Sequence, residues 1–242
     1  MKVRLLRALQ SQGVGSRKVC FHRLRRGEIR VNGEVCEDPE AEFETDGLVF
    51  TLDGVDWPYR EHACLVMHKP AGYECSHKPS HHPSVFSLLP SLLLERGVQC
   101  VGRLDQDTTG LLVFTDDGQL QHRMISPKKN VPKIYRADCA EAVSDAQLDA
   151  LRAGVQLNDE HAPLAALACE RASARGLRLV LAEGKYHQVK RMVAAAGNHV
   201  VALHREGIGD YRLPDDLAPG TWRWLDSADL KQLEQPWPSA MS

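Results

Sequence analysis

No stretch of the chain approaches the ~20 consecutive apolar residues a helix needs to cross a bilayer, so no helical membrane span is expected. Met1-Lys2-Val3-Arg4 leads into an arginine-rich helical pattern and lacks the apolar core and cleavage site of a secretory signal, so the expected compartment is the cytoplasm. Paired cysteines are missing too. Cys20, Cys36, Cys64, Cys75, Cys100, Cys139 and Cys169 are odd in number, scattered, and without a C-x-x-C pair. That excludes a disulfide framework and a zinc knuckle and leaves reduced thiols. No glycine-rich loop of the phosphate-cradling kind occurs, and no internal repeat. What remains is an ordinary globular composition, 43% hydrophobic and 26% charged over 242 residues. A chain of that length holds one large domain, or a small one and a medium one.

The net charge of −2 speaks against a polyanionic partner until its distribution is considered. Residues 1–36 carry nine basic side chains (Lys2, Arg4, Arg7, Arg17, Lys18, Arg23, Arg25, Arg26, Arg30) against Glu28 and Glu34, a net +7. The rest carries 21 basic against 30 acidic residues, a net −9. A basic module on an acidic body suits a polyanion-binding appendage. A merely solvated helix face would look the same by charge alone.

Residues 1–58 are expected to form a small domain. Val3, Leu5, Leu6 and Leu9 have near-helical spacing and Gly13 and Gly15 end that helix. Ser16 is a suitable N-cap for a second helix carrying Val19, Phe21 and Leu24, which Gly27 ends. Ile29-Arg30-Val31 alternates into the hairpin signal Asn32-Gly33, and Leu48, Phe50 and Leu52 supply a further strand. Arginines on the second helix, whose planar forks grip phosphate bidentately, would make this module an RNA clamp. Residues 53–61, with Gly54 and Pro58, are expected to be a linker. Residues 62–231 then form the larger domain, with strands at 63–67, 111–114, 134–137, 177–181, 200–203 and 211–213 and helices at 145–153 and 187–196. Strands outnumber helices and follow one another through short turns, which favours a mixed, mostly antiparallel α+β sheet. Residues 232–242, with Pro236 and Pro238, are expected to be a disordered tail.

Three segments have the makings of chemistry. Gly102-Arg103-Leu104-Asp105-Gln106-Asp107-Thr108-Thr109-Gly110 is polar, rich in turn residues, and directly precedes an apolar strand, so a carboxylate there would project from a sheet edge into a cleft. A plain loop, with Asp107 and Thr108 bonding their own backbone, is the alternative. In the helix near residue 187, Val189, Met192, Val193 and Ala196 define a buried stripe. Lys190 borders that stripe, within reach of a partly buried carboxylate, while Arg191 lies nearly opposite, toward solvent or phosphate. A solvated basic face is the bland equivalent. In Lys133-Ile134-Tyr135, alternation puts Lys133 and Tyr135 on one strand face, where a tyrosine can stack on a base or simply pack.

In order and spacing, Arg103-Leu104-Asp105-x-x-Thr108-x-Gly110, Lys133-x-Tyr135 and Glu183-Gly184-Lys185-Tyr186-His187-Gln188-Val189-Lys190-Arg191-Met192 resemble the signatures of ribosomal pseudouridine synthases. Lys69-Pro70 sits where that family has its first motif, and the N-terminal module, with Gly13-Val14-Gly15-Ser16-Arg17 and Val31-Asn32-Gly33, looks like its S4 RNA-binding domain. The resemblance extends to about residue 227. His187 to Met192, followed by Gly197-Asn198-His199-Val200-Val201, is particularly similar to the small-subunit branch, which modifies one uridine of 16S rRNA. Two positions depart from common patterns. Leu6 stands where S4 domains often have aspartate, and Lys190 stands where much of the superfamily has arginine.

The resemblance implies that Asp105 is the catalytic aspartate, that Tyr135 stacks on the target uracil, and that Lys190 pairs with Asp105. RNA contacts are expected from Arg103, Arg17, Lys18, Arg23, Arg25, Arg26, Lys69, Lys133 and Arg191. The expected partner is small-subunit ribosomal RNA or an assembly intermediate, met by a monomer. Pseudouridine formation is an isomerisation and implies no cofactor and no metal. Burial disfavours a carboxylate anion and a lysine partner opposes that, which is a physical reason for Lys190. A nonenzymatic S4-type RNA-binding protein and a synthase for large-subunit RNA are the alternative functions. A metal-dependent nuclease using Asp105, Asp107, Asp116 and Asp117 fits less well, since Asp116-Asp117-Gly118 reads as a turn. His77, His81 and His82 lie in a proline-punctuated loop without metal-ligand spacing.

Overall fold

In a computed structural model of the chain, residues 1–126, 129 and 131–237 are described. They divide into two units, Met1–Ala63 with Leu89–Gln99, and Cys64–Leu88 with Cys100–Ser242.

In the first unit, β1 (Lys2–Arg4) leads into α1 (Leu5–Ser11), and α2 (Arg17–Arg25) follows. The Ser16 hydroxyl caps α2 by accepting from the Val19 N–H. Cys20 and Leu24, one turn apart, face inward. Val19 and Phe21, expected on the buried side, are 43% and 41% exposed. At 100° per residue, Val19 and Phe21 each lie about 100° from Cys20 and about 140° and 60° from Leu24. Leu6 is buried, so the position that departs from the S4 pattern serves the core here.

Strands β2 (Ile29–Val31), β3 (Glu34–Val35), β4 (Glu42–Glu44), β5 (Val49–Leu52) and β6 (Val55–Pro58) complete this unit with α3 (Ser91–Glu95). β4 pairs with β1, and the others form a sheet in the order β3-β2-β5-β6. Asn32 and Gly33, at φ 49° and 89°, make the tight β2–β3 hairpin. Asp53 and Gly54, at φ 50° and 79°, do the same between β5 and β6. The segment expected to be a linker therefore begins with a tight turn and a paired strand. Trp57 sits opposite Phe50, and Pro58 ends an edge strand where its missing N–H costs nothing.

The second unit is built on one sheet. Its strands are β7 (Cys64–Lys69), β8 (Gln99–Cys100), β9 (Thr109–Thr115), β10 (Lys133–Cys139), β11 (Ala168–Ser173), β12 (Gly176–Leu181), β13 (Val200–Ile208), β14 (Tyr211–Arg212) and β15 (Trp222–Trp224). The order is β11-β12-β10-β13-β9-β7-β15, with β14 on β13 and β8 on β9. The ladders β11-β12-β10-β13 and β9-β7-β15 are antiparallel, and β9 joins β13 in parallel. This is the mixed, mostly antiparallel α+β sheet expected. Helices α4 (Gly118–Ile125), α5 (Asp145–Ala153), α6 (Gln188–Ala195) and α7 (Ser227–Leu233) accompany it. Val66, Leu111, Val113, Leu120, Met124, Ile208 and Leu225 form the centre of an apolar core. The expected disordered tail is ordered at its start. Leu233 is buried, Gln232 O accepts from Asp210 N–H at 2.9 Å, and Glu234 pairs with Arg123 at 2.6 Å. The rest of that expectation, residues 238–242, lies outside the described residues.

Two anchors fix the loops at the edge of this sheet. At the parallel junction, Gly110 has φ +107° and lies against the Arg205 backbone, so a Cβ there would collide with main chain. Beside it, Lys69 at the end of β7 is 0% exposed. Its ammonium donates to the carbonyls of Thr108 (2.9 Å), Pro70 (3.0 Å) and Gln106 (3.2 Å). Burial pushes its pKa down, against the nearby Cys75, Asp107 and Asp105. Lys69 was expected to contact RNA. Instead its donors are spent inside the protein, holding the loop that contains Asp105. A second loop, residues 74–84, is gathered by Glu74, whose carboxylate accepts from the N–H groups of Ser80, His81 and His82 at 2.8–2.9 Å. Those bonds pull its pKa from 4.5 to about 2.

Replacing Lys69 by methionine keeps the volume and strands three carbonyls. A loss of about 2–4 kcal/mol is expected, read as a lower urea midpoint; an unchanged midpoint would mean the ammonium does not hold the loop. Because Glu74 titrates lower when folded, its bonds are fully present above about pH 4.5 and are lost as the pH falls toward 2. Amide exchange at Ser80, His81 and His82, corrected for intrinsic rates, should lose protection across that window, and flat protection factors would refute the tie.

Candidate active site

Asp105 lies in the loop before β9, which the Lys69 ammonium, a bond from Gly72 N–H to Gln106 O (2.7 Å) and a turn from Thr108 N–H to Asp105 O (3.1 Å) hold in place. The Asp105 side chain is 28% exposed, and both its oxygens are engaged. His187 Nε2 lies 3.3 Å from Oδ1 and Lys190 Nζ lies 3.2 Å from Oδ2. α6 brings both partners. Its buried stripe is Val189, Met192 and Val193, as the periodicity implied, which leaves Lys190 at the border facing the loop.

Lys190 is not given to Asp105 alone. Its shortest contacts go to Asp107, at 2.7 Å and 2.9 Å. Burial works against the Lys190 charge, yet the two carboxylates outweigh it and raise its pKa. Burial likewise works to raise the Asp107 pKa, and the bond and charge of Lys190 overcome it and lower it. One ammonium thus bridges two acids. The sequence reading paired Lys190 with Asp105 only; the i, i+2 spacing of Asp105 and Asp107 is the signal for the second partner.

The carboxylate opens onto a small pocket of about 60 Å³ whose apolar walls are Leu104, Tyr135, Leu181, Val189 and Leu203. Tyr135 is only 7% exposed, on the face of β10 that alternation assigned it. Lys133 shares that strand but is half-buried. Its Nζ lies 3.4 Å from Ala182 O, and its pKa is pushed down to about 8 by burial and by Arg205, against Glu183. Arg205, itself buried, donates to Leu111 O at 2.8 Å, and its Nη2 has no hydrogen-bond partner. Around the mouth a groove of about 960 Å³ includes Glu74, His81, His82, Arg103, Asp107, Lys185, Tyr186 and Lys190. Arg103 is exposed and, among the described residues, makes no hydrogen bond or ion pair.

The rim cations are otherwise engaged. Arg191, expected to meet solvent or phosphate, pairs with Asp159 at 2.5 Å and donates to Tyr186 O at 3.2 Å. Lys185 pairs with Glu160 at 2.5 Å. The sequence reading began the helix at His187 and gave that residue no role of its own, but it precedes the helix. It occupies the left-handed region, φ 48° and ψ 31°, and periodicity says nothing of such a residue. In the first unit, Arg17, Lys18, Arg25 and Arg26 are exposed, with Arg26 3.5 Å from Glu28, and Arg23 pairs with Asp53 at 3.3 Å.

Asp117 and His77 have structural roles. Asp117 caps α4 through the N–H groups of Gln119 and Leu120. His77 stacks on Phe86, with centroids 3.6 Å apart. Among the described residues no group of three or more His, Cys, Asp or Glu side chains is arranged around a metal position. The opposite sheet face, one residue out of register with Tyr135 and Leu181, carries a groove of about 720 Å³ past Ile134, Arg136, Arg178, Val180 and His204. There Glu170 and Glu206 are both tied to Arg178, and the exposed Asp215 also lines the groove.

A family model described as RNA pseudouridylate synthase matches residues 63–195. The chain is 38% identical over 222 residues to a ribosomal small subunit pseudouridine synthase A of Vibrio parahaemolyticus, covering 89% of this chain and 92% of that one. It is 37% identical over 229 residues to the protein of that name from Escherichia coli K12, covering 91% and 95%. A crystal structure of a pseudouridylate synthase superposes with a TM-score of 0.67 at 31% identity, covering 96% of this chain and 99% of that one. The match takes in Asp105, Tyr135 and Lys190, and the chain belongs to the RNA pseudouridine synthase family.

Proposed function

We propose that the protein converts one uridine of small-subunit (16S) ribosomal RNA to pseudouridine, with Asp105 acting at the sugar. The observation that carries this reading is the carboxylate between His187 and Lys190 at the mouth of a pocket walled by Tyr135. Support for the RNA comes from relatives named for the small subunit. In the reaction the bond from uracil N1 to C1′ breaks, a bond from C5 to C1′ forms, the C5 proton leaves and N1 gains one. Nothing enters or departs on balance. Asp105 serves either by attacking C1′ or by taking a proton from C2′, and Lys190 favours its anionic form. The uridine leaves its stack to reach the pocket, at a cost of a few kcal/mol. Stacking on Tyr135, worth ~1–3 kcal/mol, offsets part of that.

The first unit is proposed to be the S4-like RNA-binding module, gripping phosphates through Arg17, Lys18, Arg25 and Arg26. Arg103, free of internal partners, is proposed to take the phosphate of the flipped nucleotide or fill the gap it leaves. The substrate is naked 16S rRNA or an assembly intermediate, met by a monomeric protein in the cytoplasm.

Asp105→Asn should abolish conversion while RNA affinity stays within about threefold, and retained turnover would sink the assignment. Lys190→Met should lower the single-turnover rate roughly 5- to 150-fold, about 1–3 kcal/mol, because both partners are partly open to water. Pseudouridine mapping of rRNA from cells lacking the protein, complemented with wild type or Asp105→Asn, identifies the substrate. A site lost from the large subunit instead would overturn the choice of RNA.

A further inference from the structure

One side chain at the groove has no part in the reaction as proposed. Tyr186 is 72% exposed. Its ring is nevertheless fixed. It stacks on the His187 imidazole with centroids 3.9 Å apart and planes inclined by 16°. Its carbonyl accepts from Arg191 Nη1 at 3.2 Å, and on its other side the Lys185 N–H donates to Gln188 Oε1 at 2.9 Å. His187 is in turn held in the left-handed region and 3.3 Å from Asp105. One face of the tyrosine is covered by a parallel ring, and the stack stands directly beside the reacting carboxylate.

An exposed aromatic held this way is a flat apolar surface with a polar edge. Arg103, exposed and unpaired among the described residues, lines the same groove, where Lys185 is paired with Glu160 and Lys190 with Asp105 and Asp107, so the surface has one free cation beside it. A planar, uncharged ring carried on an anionic strand fits that pairing of features, and an unpaired nucleotide has both. When the target uridine swings out, its neighbours lose a stacking partner, and a second platform next to the pocket can replace it.

We propose that Tyr186, backed by His187, stacks the unpaired base of a nucleotide adjacent to the target uridine. The proposal rests on the reading of the protein as an enzyme that acts on RNA. Tyr135 receives the base that reacts, and Tyr186 holds a base that does not. Because every base has a π-face, the platform tolerates sequence and favours the larger purine rings.

The test uses the full-length protein and 16S rRNA from cells lacking it, with Tyr186→Ala, Tyr186→Phe and Tyr186→Leu. RNA affinity and the single-turnover rate at saturating RNA are measured separately. Tyr186→Ala and Tyr186→Leu should both weaken binding about 5- to 150-fold, with the saturated rate within about threefold of wild type, and Tyr186→Phe should bind like wild type. With the target mapped, an abasic site at the adjacent nucleotide should weaken wild type by a similar factor and Tyr186→Ala hardly at all. Unchanged binding by Tyr186→Ala would overturn the proposal. So would rescue by Tyr186→Leu, which would mean apolar packing only, or a lower saturated rate at unchanged affinity, which would mean Tyr186 acts through His187 on Asp105. Affinity is read without conversion, so a protein that shows the Phe-over-Leu pattern yet makes no pseudouridine would keep the platform and refute the reaction.

Discussion

The buried ammonium of Lys69 determines where everything else in the site can be. A lysine without access to water is costly unless each donor finds an acceptor. Here the acceptors are backbone carbonyls on both sides of Asp107, so satisfying Lys69 fixes the loop at two points. Gly110 then lets β9 run against β13 with no side chain between them. Asp105 is positioned by these main-chain constraints before its carboxylate meets any partner, and α6 needs only to bring His187 and Lys190 to a place already defined.

Charge around the carboxylate is closely matched. Lys190 serves two acids, Arg191 meets Asp159, and Lys185 meets Glu160. At partly exposed positions such pairs contribute little to stability. Their larger effect is to neutralise the groove in the free protein, leaving Arg103 as its exposed unpaired cation among the described residues. An RNA phosphate approaching the other cations must compete with a resident carboxylate, and the exposed arginines of α2 face no such competition except at Arg23 and Arg26.

Periodicity in the sequence was enough to place six strands of the second unit's sheet and two of its helices, though not β8, β11, β15, α4 or α7, because strands with one buried face and an amphipathic helix write their period into the residue order. Tyr135 and Lys190 were legible as candidates for the same reason, each at a defined phase of such a pattern, whereas Asp105 stood out as part of a polar loop before an apolar strand and through the family resemblance. Lys69 was misread because a lysine after an apolar strand normally reaches water, and nothing local announces three carbonyls arriving from residues 70, 106 and 108. The β5–β6 hairpin was missed because Gly54 and Pro58 suggest a linker, although Asp53-Gly54 is equally a tight turn. His187 and Glu74 act through contacts that depend on loop geometry, which no spacing rule encodes. On α2 the choice between Cys20 and its neighbours Val19 and Phe21 depended on a phase that nine residues define poorly.

Both oxygens of Asp105 already have partners in the free protein, one an imidazole clamped under a tyrosine and the other a shared ammonium. A carboxylate has about four lone-pair positions, so these two contacts orient the side chain and leave other lone pairs unengaged. Its rotamer is therefore set from both sides in the free protein. Lys190 has Asp107 to fall back on, whereas His187 can withdraw only by disturbing its stack, so the cheaper release is on the lysine side.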